Sequence, residues 1–540
     1  MVAVTLWCFW YLITRRLKKL KASDDVYRLP CPSGSHWLWG HEKLALYDGN
    51  YGDTYSEWID RMGGVIRTRA ALWHPDILIV ADPVAVSHIQ SRNVYNYIKS
   101  PVIRLLVERM LGRSLVWAEG DEHRRMRATL APCFSAARVR LMESAVLDSA
   151  HKLVDALRDH ISQPRRVGCI PNIVNIMEWT SKATLDVIGR VGFGYDFRFG
   201  ESSGAKDIFR LWKEQSMLGM TFVGFATPLV LRAFPSIASL PVGSIRKQGE
   251  IKLRVGEIGK DIVESKIVQL RDKQEGLTDD DLLGYLVRMC CESDGSVSRR
   301  DILDHITTFI MVGQETTAGA LNYILHALAQ HTDIQDELRA ELEVFGREPT
   351  YDDFQNKEQL KLLDSVTKEG MRLFPPAPHT ERVAIEDDVV PLGQPVRTAD
   401  GSYLHSLRIC KGQVLFIPRL SLNTHCGTWG LDGKVFRPSR WLATGKDAPP
   451  RATLTGWNNI DTFSEGAHMC LGYRLAVFEV KAVLCALLKT FRFEQVTGVK
   501  IVNKFSATLQ PQVVENSGEA REIVMNEPWL PVKVTPVDHQ

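Results

Sequence analysis

The chain has 540 residues, of which 45% are hydrophobic and 24% charged, so it is an ordinary globular protein rather than a disordered, collagen-like or low-complexity one. Its 66 basic and 64 acidic side chains give a formal net charge of +2, which leaves no global field for nucleic acid and predicts no nucleic-acid partner. Ten cysteines, with no CxxC pair and no Asn-x-Ser/Thr sequon, favour buried thiols in a reducing compartment over a disulfide framework.

Residues 1–14 form an apolar stretch without a charged side chain, and five basic residues follow within residues 15–21. A membrane-spanning helix needs about 20 apolar residues, so this stretch is short. Because the charges follow the apolar run and no small-residue cleavage site is present, the pattern favours a retained membrane anchor over a secretory signal. The charges would hold the rest of the chain in the cytoplasm. The alternative is an amphipathic segment that packs on the body.

Residues 29–34, Leu-Pro-Cys-Pro-Ser-Gly, cannot form a helix, because two prolines fix the backbone and remove amide donors. We therefore predict a basic collar and a stiff proline hinge over residues 15–40. The length favours several domains of about 150 residues, but the composition does not change within residues 41–540. That part of the chain is predicted to be a single large domain.

Helical periodicity dominates the predicted domain, and strands are few. Apolar residues recur at three- and four-residue spacing in five long segments: 142–157, 173–191, 251–270, 301–330 and 332–345. Two short apolar runs, 77–80 and 414–417, predict strands, and residues 391–412 are rich in proline and glycine. The sequence therefore predicts a mainly α fold with a minor β component.

The segment Val-Gly-Gln-Glu-Thr-Thr lies at residues 312–317 of the predicted helix 301–330. Glycine destabilises a helix interior by about 1 kcal/mol, and threonine hydroxyls bond back to helix carbonyls, so the segment is poorly suited to a plain core helix. A bent helix with the Glu315 carboxyl and the Thr316 hydroxyl beside the opening would suit proton transfer. The alternative is a tolerated kink without a chemical role.

Glu369 and Arg372 are three residues apart in a predicted helix, so their side chains face one another. Most such pairs are solvated surface bridges. Here prolines at 375 and 376 end the helix abruptly, and Arg440, in the segment Phe-Arg-Pro-Ser-Arg-Trp, offers a second cation. The sequence therefore predicts a cluster of one glutamate and two arginines, with a surface pair as the alternative.

A cysteine-centred loop, Phe-Ser-Glu-Gly-Ala-His-Met-Cys-Leu-Gly, occupies residues 463–472. Gly466 and Gly472 let the backbone approach the Cys470 sulfur closely, and amide donors aimed at a sulfur stabilise its thiolate. A helix predicted over residues 473–490 places this sulfur near a helix N-terminus, which also favours negative charge. The sulfur therefore suits a soft metal or nucleophilic chemistry; the alternative is a buried structural cysteine beside a glycine-rich turn.

These motifs, in this order and at these spacings, resemble the cytochrome P-450 family over essentially the whole chain. The N-terminal segments are similar to those of eukaryotic microsomal members, and the cysteine loop is most like that of fungal ones. The resemblance implies the cytochrome P-450 fold, a single large heme-binding domain that is mainly α with a minor β component and carries an N-terminal membrane anchor. It also implies a location in the endoplasmic reticulum membrane, with the catalytic domain facing the cytoplasm.

By this resemblance the cofactor is heme b, iron protoporphyrin IX. Cys470 would be the proximal thiolate ligand of the iron, Phe463 would shield the sulfur, and Gly466 and Gly472 would keep the backbone close to it. His468 departs from the family pattern, which usually has an arginine at this position for a heme propionate. A histidine would still donate a hydrogen bond, but its charge would depend on pH.

Three further residues would hold the propionates by the same resemblance. His123 stands where the family has the tryptophan of a Trp-x-x-x-Arg pair, and Arg127 is the arginine of that pair. Arg382 would be another propionate partner, with a surface location as the alternative. Arg124 and Arg125 fit a solvated helix face.

Thr316 and Glu315 would be the catalytic pair, in which the hydroxyl assists oxygen activation and the acid relays protons. Such a pair implies monooxygenation rather than rearrangement of peroxides. Val312 replaces a more frequent alanine and would narrow the space above the heme. Since the sequence has neither a Rossmann fingerprint nor a flavin-domain extension, electrons would come from NADPH–cytochrome P-450 reductase, with cytochrome b5 as a second candidate donor.

Substrate contacts are expected from residues 95–117, from Phe309 and Val312, and from residues 377–380. Their apolar character favours a lipophilic small molecule, which would be hydroxylated or epoxidised. A fungal natural-product or terpenoid pathway is the favoured context, and fatty-acid or xenobiotic hydroxylation stays open. The remaining alternative is a heme-binding protein without turnover.

Overall fold

The computed structural model describes residues 24–163, 172–239, 243–272, 282–292, 298–356, 358–443, 454–517, 523 and 525–537. The predicted anchor, residues 1–14, and the basic residues within 15–21 lie outside the described residues. Within the described ranges, no single helix combines the length and apolarity needed to cross a membrane. One pair of consecutive helices, 203–220 and 222–233, passes that test jointly but is bent by 76°.

Most of the described chain is helical. The α-helices are, in chain order, α1 (Asp24–Arg28), α2 (Asp53–Met62), α3 (Pro83–Ser87), α4 (Pro101–Leu111), α5 (Gly120–Leu130), α6 (Ala136–Leu141), α7 (Glu143–Ser162), α8 (Ile176–Phe193), α9 (Ser203–Met220), α10 (Phe222–Ala233), α11 (Gly243–Asp272), α12 (Leu282–Glu292), α13 (Arg299–Gln330), α14 (Thr332–Phe345), α15 (Tyr351–Gln355), α16 (Lys361–Leu373), α17 (Arg419–Thr424), α18 (Cys426–Trp429) and α19 (Tyr473–Thr490). The mainly helical fold predicted from the sequence is confirmed.

Twelve described strands form four small sheets. The strands are β1 (Val65–Thr68), β2 (Ile77–Val80), β3 (Tyr97–Lys99), β4 (Ile173–Asn175), β5 (Thr380–Ala384), β6 (Asp388–Arg397), β7 (Tyr403–Ile409), β8 (Val414–Ile417), β9 (Phe491–Gln495), β10 (Val499–Ser506), β11 (Thr508–Asn516) and β12 (Pro531–Pro536). The largest sheet has the order β1-β2-β8-β5-β3, in which only β2 and β8 run parallel. A three-stranded sheet has the order β4-β12-β9, and β6-β7 and β10-β11 pair as antiparallel ribbons.

Helix α13 crosses the helical core. Its N-terminus is fixed by a capping box, in which Ser298 and Asp301 satisfy each other's backbone amides. With 32 residues it is about 48 Å long, enough to traverse a domain. Leu321 and Ile324 are fully buried in the largest hydrophobic cluster, which also includes residues of α7, α8 and α19. Helix α13 therefore runs through the largest hydrophobic cluster and packs together with residues of several other helices.

The N-terminal part of the described chain already packs on the body. Val26 and Leu29 are buried with the large sheet, and the Arg67 amide donates to the Pro30 carbonyl at 2.9 Å. Leu29, at the start of the proline segment, is thus covered by β-sheet residues, whereas residues 30–34 are partly or fully exposed. The glycine- and proline-rich segment 391–412 also differs from an irregular loop, since most of it forms the β6-β7 ribbon with an irregularity in its register.

Candidate functional site

A cavity of about 360 Å³ lies between α13, α5, the large sheet and the loop before α19. Its walls are mainly apolar, and Cys470 and Thr316 border it. Of the ten predicted site residues, nine line the cavity or lie in the loop around it; Glu315 is the exception. The cavity-lining predictions are Thr316, Cys470, Phe463, His468, Gly472, His123, Arg127 and Arg382.

The cysteine loop is shaped by its glycines. The Cys470 amide donates to the Phe463 carbonyl at 2.8 Å, which closes the loop, and α19 begins at Tyr473 directly after Gly472. Gly466 has φ +65°, and a Cβ there would lie 2.4 Å from the Gln90 carbonyl oxygen. Only glycine therefore fits this position without moving the backbone.

Cys470 lines the cavity, and its side chain is exposed there. Desolvation raises the pKa of the thiol, whereas the Gly472 amide and the Arg127 guanidinium act to lower it. Arg127 also donates to the Met469 carbonyl at 2.7 Å, so α5 braces the loop next to the sulfur. Phe463 packs edge-on against Trp457 and beside Tyr473, forming an aromatic wall on this side. A sulfur held in this way suits a soft metal.

Two histidines stack at the polar end of the cavity. The rings of His123, on α5, and His468 lie with centroids 4.0 Å apart, and the Tyr95 hydroxyl lies 3.1 Å from His123 Nδ1. Burial lowers the pKa of His123 to about 3 and that of His468 to about 4. Both imidazoles are therefore neutral near pH 7 and contribute N–H donors rather than charges.

Glu119 and Lys99 belong to the same polar end, although neither lies in a motif that predicted such a role. Glu119 accepts from the Lys99 ammonium at 2.8 Å and lies 3.6 Å from Arg382 Nη1. Burial acts to raise the pKa of Glu119, but the nearby His468 ring and the two cations hold it well below its usual range. Burial lowers the pKa of Lys99 to about 8, which leaves it mostly protonated at neutral pH.

Several buried donors at this end lack an acceptor. Arg382 Nη1 and His468 Nε2 have no hydrogen-bond partner among the described residues, and the nearest Glu119 oxygens lie 3.6 and 3.4 Å away. Unsatisfied buried donors of this kind are costly unless a ligand completes them. The arrangement fits a cofactor with a metal that binds a thiolate, here Cys470, and with anionic groups that the Arg382 end would hold. Heme b has both features.

Thr316 borders the cavity from α13, together with Val312 and Gly313. Its hydroxyl donates to the Val312 carbonyl at 2.7 Å, the back-bonding expected of a threonine inside a helix. A Cβ on Gly313 would lie 3.1 Å from Ile188, so the glycine allows α8 to pack closely against α13. The helix stays continuous through this segment from Arg299 to Gln330.

Glu315 does not border the cavity. Its carboxylate accepts from Gln510 at 2.7 Å and from Thr508 at 3.1 Å, both on β11, and it is almost fully buried. Successive helix residues are about 100° apart, so Glu315 faces β11 when Thr316 faces the cavity. Burial raises the pKa of Glu315 to about 7, against the opposing effect of these hydrogen bonds. The predicted acid is thus buried behind the cavity wall.

Some of the residues predicted to contact substrate border the cavity, and others do not. Phe309, Val312, Leu115, Val116 and Ala377 border the cavity, whereas Thr380 does not. The segment 95–117, expected as a loop, contains β3 and α4. Arg419 also borders the cavity and pairs with Asp461 at 3.1 Å, a contact that the sequence did not indicate.

The Glu369 cluster predicted from the sequence is present and fully buried. Glu369 accepts from Arg372 at 2.8 and 2.9 Å, from Arg440 at 3.1 Å and from the Trp441 indole at 2.9 Å. Arg372 also donates to the Asn423 and Gly433 carbonyls, which ties α16 to α17 and to the segment that follows α18. This cluster is structural, since none of its three charged members borders the cavity.

Comparisons with known proteins agree with this geometry. The cytochrome P-450 family profile matches residues 30–517. Cytochrome P-450 monooxygenase claU of Ampulloclitocybe clavipes is 30% identical over 524 residues, covering 95% of this chain and 94% of its own length. Cytochrome P-450 monooxygenase 205 of Postia placenta is 30% identical over 509 residues, covering 91% of each chain. The chain therefore belongs to the cytochrome P-450 family and is an enzyme of the monooxygenase class.

Proposed function

We propose that the chain is a heme-thiolate monooxygenase that inserts one oxygen atom of O₂ into a lipophilic small molecule, by hydroxylation or epoxidation. The observation that carries the proposal is the cavity itself, which places the Cys470 sulfur, unsatisfied Arg382 and His468 donors, and the Thr316 hydroxyl around one space. Heme b fits this arrangement because a thiol can bind its iron and the polar donors can bind its carboxylates. The rest of the cavity wall is mainly apolar, which fits a lipophilic substrate.

The residues have distinct roles in this proposal. Cys470 holds the iron, Gly466 and Gly472 shape the loop that presents the sulfur, and Phe463 covers it. When bound, heme b supplies the oxygen-activating chemistry, for which a thiolate ligand favours O–O cleavage.

The cationic end of the cavity orients the cofactor. Arg382, Arg127 and Lys99 neutralise carboxylate arms, while the neutral His123 and His468 rings donate hydrogen bonds to them. The rigid stack of the two rings fixes where those donors lie.

The Thr316 hydroxyl carries an exchangeable proton and borders the cavity. It donates to the Val312 carbonyl, so it passes a proton onward only by rotating away from that carbonyl. Glu315 lies on the other side of α13 and takes up or releases its proton near pH 7. A proton from Glu315 therefore reaches the cavity only through motion of its side chain or through water.

Apolar walls exclude water and select the substrate class. Phe309, Val312, Leu115 and Val116 form the space above the cysteine. The relatives come from fungi, and we propose a fungal natural-product or terpenoid pathway, with fatty-acid or xenobiotic hydroxylation as the alternatives within the family. We propose NADPH–cytochrome P-450 reductase as the electron donor, cytochrome b5 as an auxiliary one, and the cytoplasmic face of the endoplasmic reticulum as the location, with residues 1–14 as the anchor.

The cofactor assignment is tested by the carbon monoxide difference spectrum of the reduced full-length protein. We expect the shifted Soret band of a thiolate-ligated heme, and its loss in Cys470→Ala. Cys410→Ser removes a partly exposed cysteine elsewhere and is expected to leave the band unchanged. An unchanged band in Cys470→Ala would refute the ligand assignment.

Turnover is tested separately with reductase and NADPH. A screen of lipophilic compounds for displacement of the water on the iron identifies ligands, which are then assayed for oxygenated product. In Thr316→Ala we expect a larger share of the electrons from NADPH to reduce O₂ to hydrogen peroxide, and less oxygenated product to form. Unchanged coupling in that variant would refute the role of Thr316, and the absence of oxygenated product from every bound compound would favour heme binding without turnover.

A further inference from the structure

A group of three metal-binding side chains lies on the surface, apart from the cavity. Asp60, on α2, His425, between α17 and α18, and Cys426, the first residue of α18, each offer one ligand atom, and these atoms all lie within 4.8 Å of one another. We propose that Asp60, His425 and Cys426 form a Zn²⁺ site with an open fourth position for water. A carboxylate oxygen, an imidazole nitrogen and a thiolate are all established zinc ligands.

The three donors are held by packed elements. The Ser56 hydroxyl of α2 donates to the Ser421 hydroxyl of α17 at 3.0 Å, and both side chains are buried. This contact holds α2 against α17, so the backbone positions that carry Asp60 and His425 lie close together without a bound ion. A preformed ligand set loses little conformational entropy on binding and therefore favours affinity.

His425 is placed by the glycine that follows Cys426. A Cβ on Gly427 would lie 2.7 Å from Cε1 and 3.2 Å from Nδ1 of His425, so only glycine leaves room for the ring. Neither ring nitrogen makes a hydrogen bond among the described residues.

The Cys426 thiol already points at the carboxylate. Its sulfur donates to Asp60 Oδ1 at 3.3 Å, so the thiol proton occupies the place that a cation would take between the two groups. Zinc would bind the sulfur as a thiolate and release that proton to solvent. Lys434 lies 3.4 Å from the other oxygen, Asp60 Oδ2, in an exposed pair that contributes little and does not cover Oδ1.

The donor set selects the metal. Calcium and magnesium prefer oxygen ligands, so a site with one nitrogen and one sulfur disfavours them. Thiolate and imidazole suit zinc and its softer analogue cadmium. A bound ion would join α2 to the start of α18, near the segment whose carbonyls hold Arg372. We therefore expect binding to raise the thermal stability of the protein.

The test uses the purified heme-loaded full-length protein, in which Cys470 binds the heme iron. A chelator first removes any other bound metal ions. Zn²⁺ alone is titrated by calorimetry, and we expect one saturable equivalent that His425→Gln and Cys426→Ser each weaken more than tenfold. Cys410→Ser, which removes a cysteine in the turn after β7, is the matched control and is expected to bind as the wild type does. Mg²⁺ is expected not to compete.

A second readout reports on the site itself. Alkylation of Cys426 by iodoacetamide, followed by peptide mass spectrometry, is expected to slow several-fold when Zn²⁺ is present and to be unaffected by Mg²⁺. Asp60→Asn is expected to reduce this protection. The proposal is overturned if Zn²⁺ leaves the alkylation rate of Cys426 unchanged, or if Cys426→Ser binds Zn²⁺ as tightly as the wild type.

Discussion

Replacing Glu369 with glutamine tests how much the buried charge cluster stabilises the fold. In the native protein Glu369 accepts four side-chain N–H bonds and a fifth from the Arg437 amide at 2.9 Å. Glutamine keeps the size of the side chain but offers one acceptor oxygen and turns an amide N–H₂ toward two guanidinium groups. Arg372 is fully buried and Arg440 is 3% exposed, so neither charge can be hydrated instead.

The expected loss is about 3 kcal/mol of unfolding free energy. Removing one partner of a buried ion pair costs about 3–5 kcal/mol, because an uncompensated charge stays behind. The expected loss lies at the lower end of this range because both arginines keep other acceptors after the substitution. Arg372 keeps the Asn423 and Gly433 carbonyls, and Arg440 keeps Asp432 at 3.3 Å.

Urea unfolding of the heme-loaded protein, followed by tryptophan fluorescence, measures the change. Urea is preferred to guanidinium salts because it does not screen charge. Glu57→Gln breaks the exposed Glu57–Arg61 pair, at 62% and 67% side-chain exposure, and is expected to change stability by less than about 0.5 kcal/mol. If Glu369→Gln shifted the urea midpoint no further than Glu57→Gln, the cluster would contribute no more than a surface pair, and the reasoning would be refuted.

Three further outcomes follow from the buried groups. Burial raises the pKa of Glu315 from 4.5 to about 7, so the wild type is expected to lose up to about 3 kcal/mol of stability as pH rises from about 4.5 to 7. In Glu315→Gln this part of the pH dependence, read from urea midpoints at pH 5 and 8, should vanish. An unchanged pH dependence in the variant would contradict the assignment. Gly370→Ala would bring a Cβ within 2.2 Å of Ile324 Cγ1 and is expected to lower the unfolding free energy by about 1–3 kcal/mol, with a wild-type midpoint as the contrary result. Lys99→Gln is expected to speed transfer of heme to apomyoglobin several-fold, whereas Lys43→Gln, in the surface pair with Asp48, should not; equal rates in both variants would exclude Lys99 as a propionate partner.

Local signals account for the features that the sequence predicted well. The helix predicted over 473–490 has those bounds in the structure, because Gly472 starts it and apolar spacing continues to Thr490. The strands at 77–80 and 414–417 also begin and end where predicted, since both are short runs of β-branched and apolar residues between polar or turn-forming neighbours. The cysteine loop was recognisable for the same reason: its glycines and its sulfur lie within a few residues of each other.

Properties set by tertiary contacts were not accessible from the sequence. Glu315 and Thr316 are adjacent in the chain, yet one faces β11 and the other the cavity, and only the packing of α13 decides which face is which. Likewise Lys99 and Glu119 come from segments without a motif, and Arg382 joins them from a strand more than 250 residues away. The ribbon at 388–409 depends on cross-strand pairing, which its prolines and glycines concealed.

The near-neutral charge of the whole chain conceals a charge balance inside the cavity. The two histidines at its polar end are neutral, so the substitution of histidine for the family's usual arginine at 468 removes a positive charge. Lys99, Arg127 and Arg382 against Glu119, with Arg419 paired to Asp461, leave two net positive charges among these groups. In the proposed heme complex these charges would match the two negative charges of the propionates. Lys99 would then supply the charge that His468 lacks, while His468 would keep the hydrogen-bond donor. The departure from the family motif would thus change which residue carries the charge and leave the total charge suited to the cofactor.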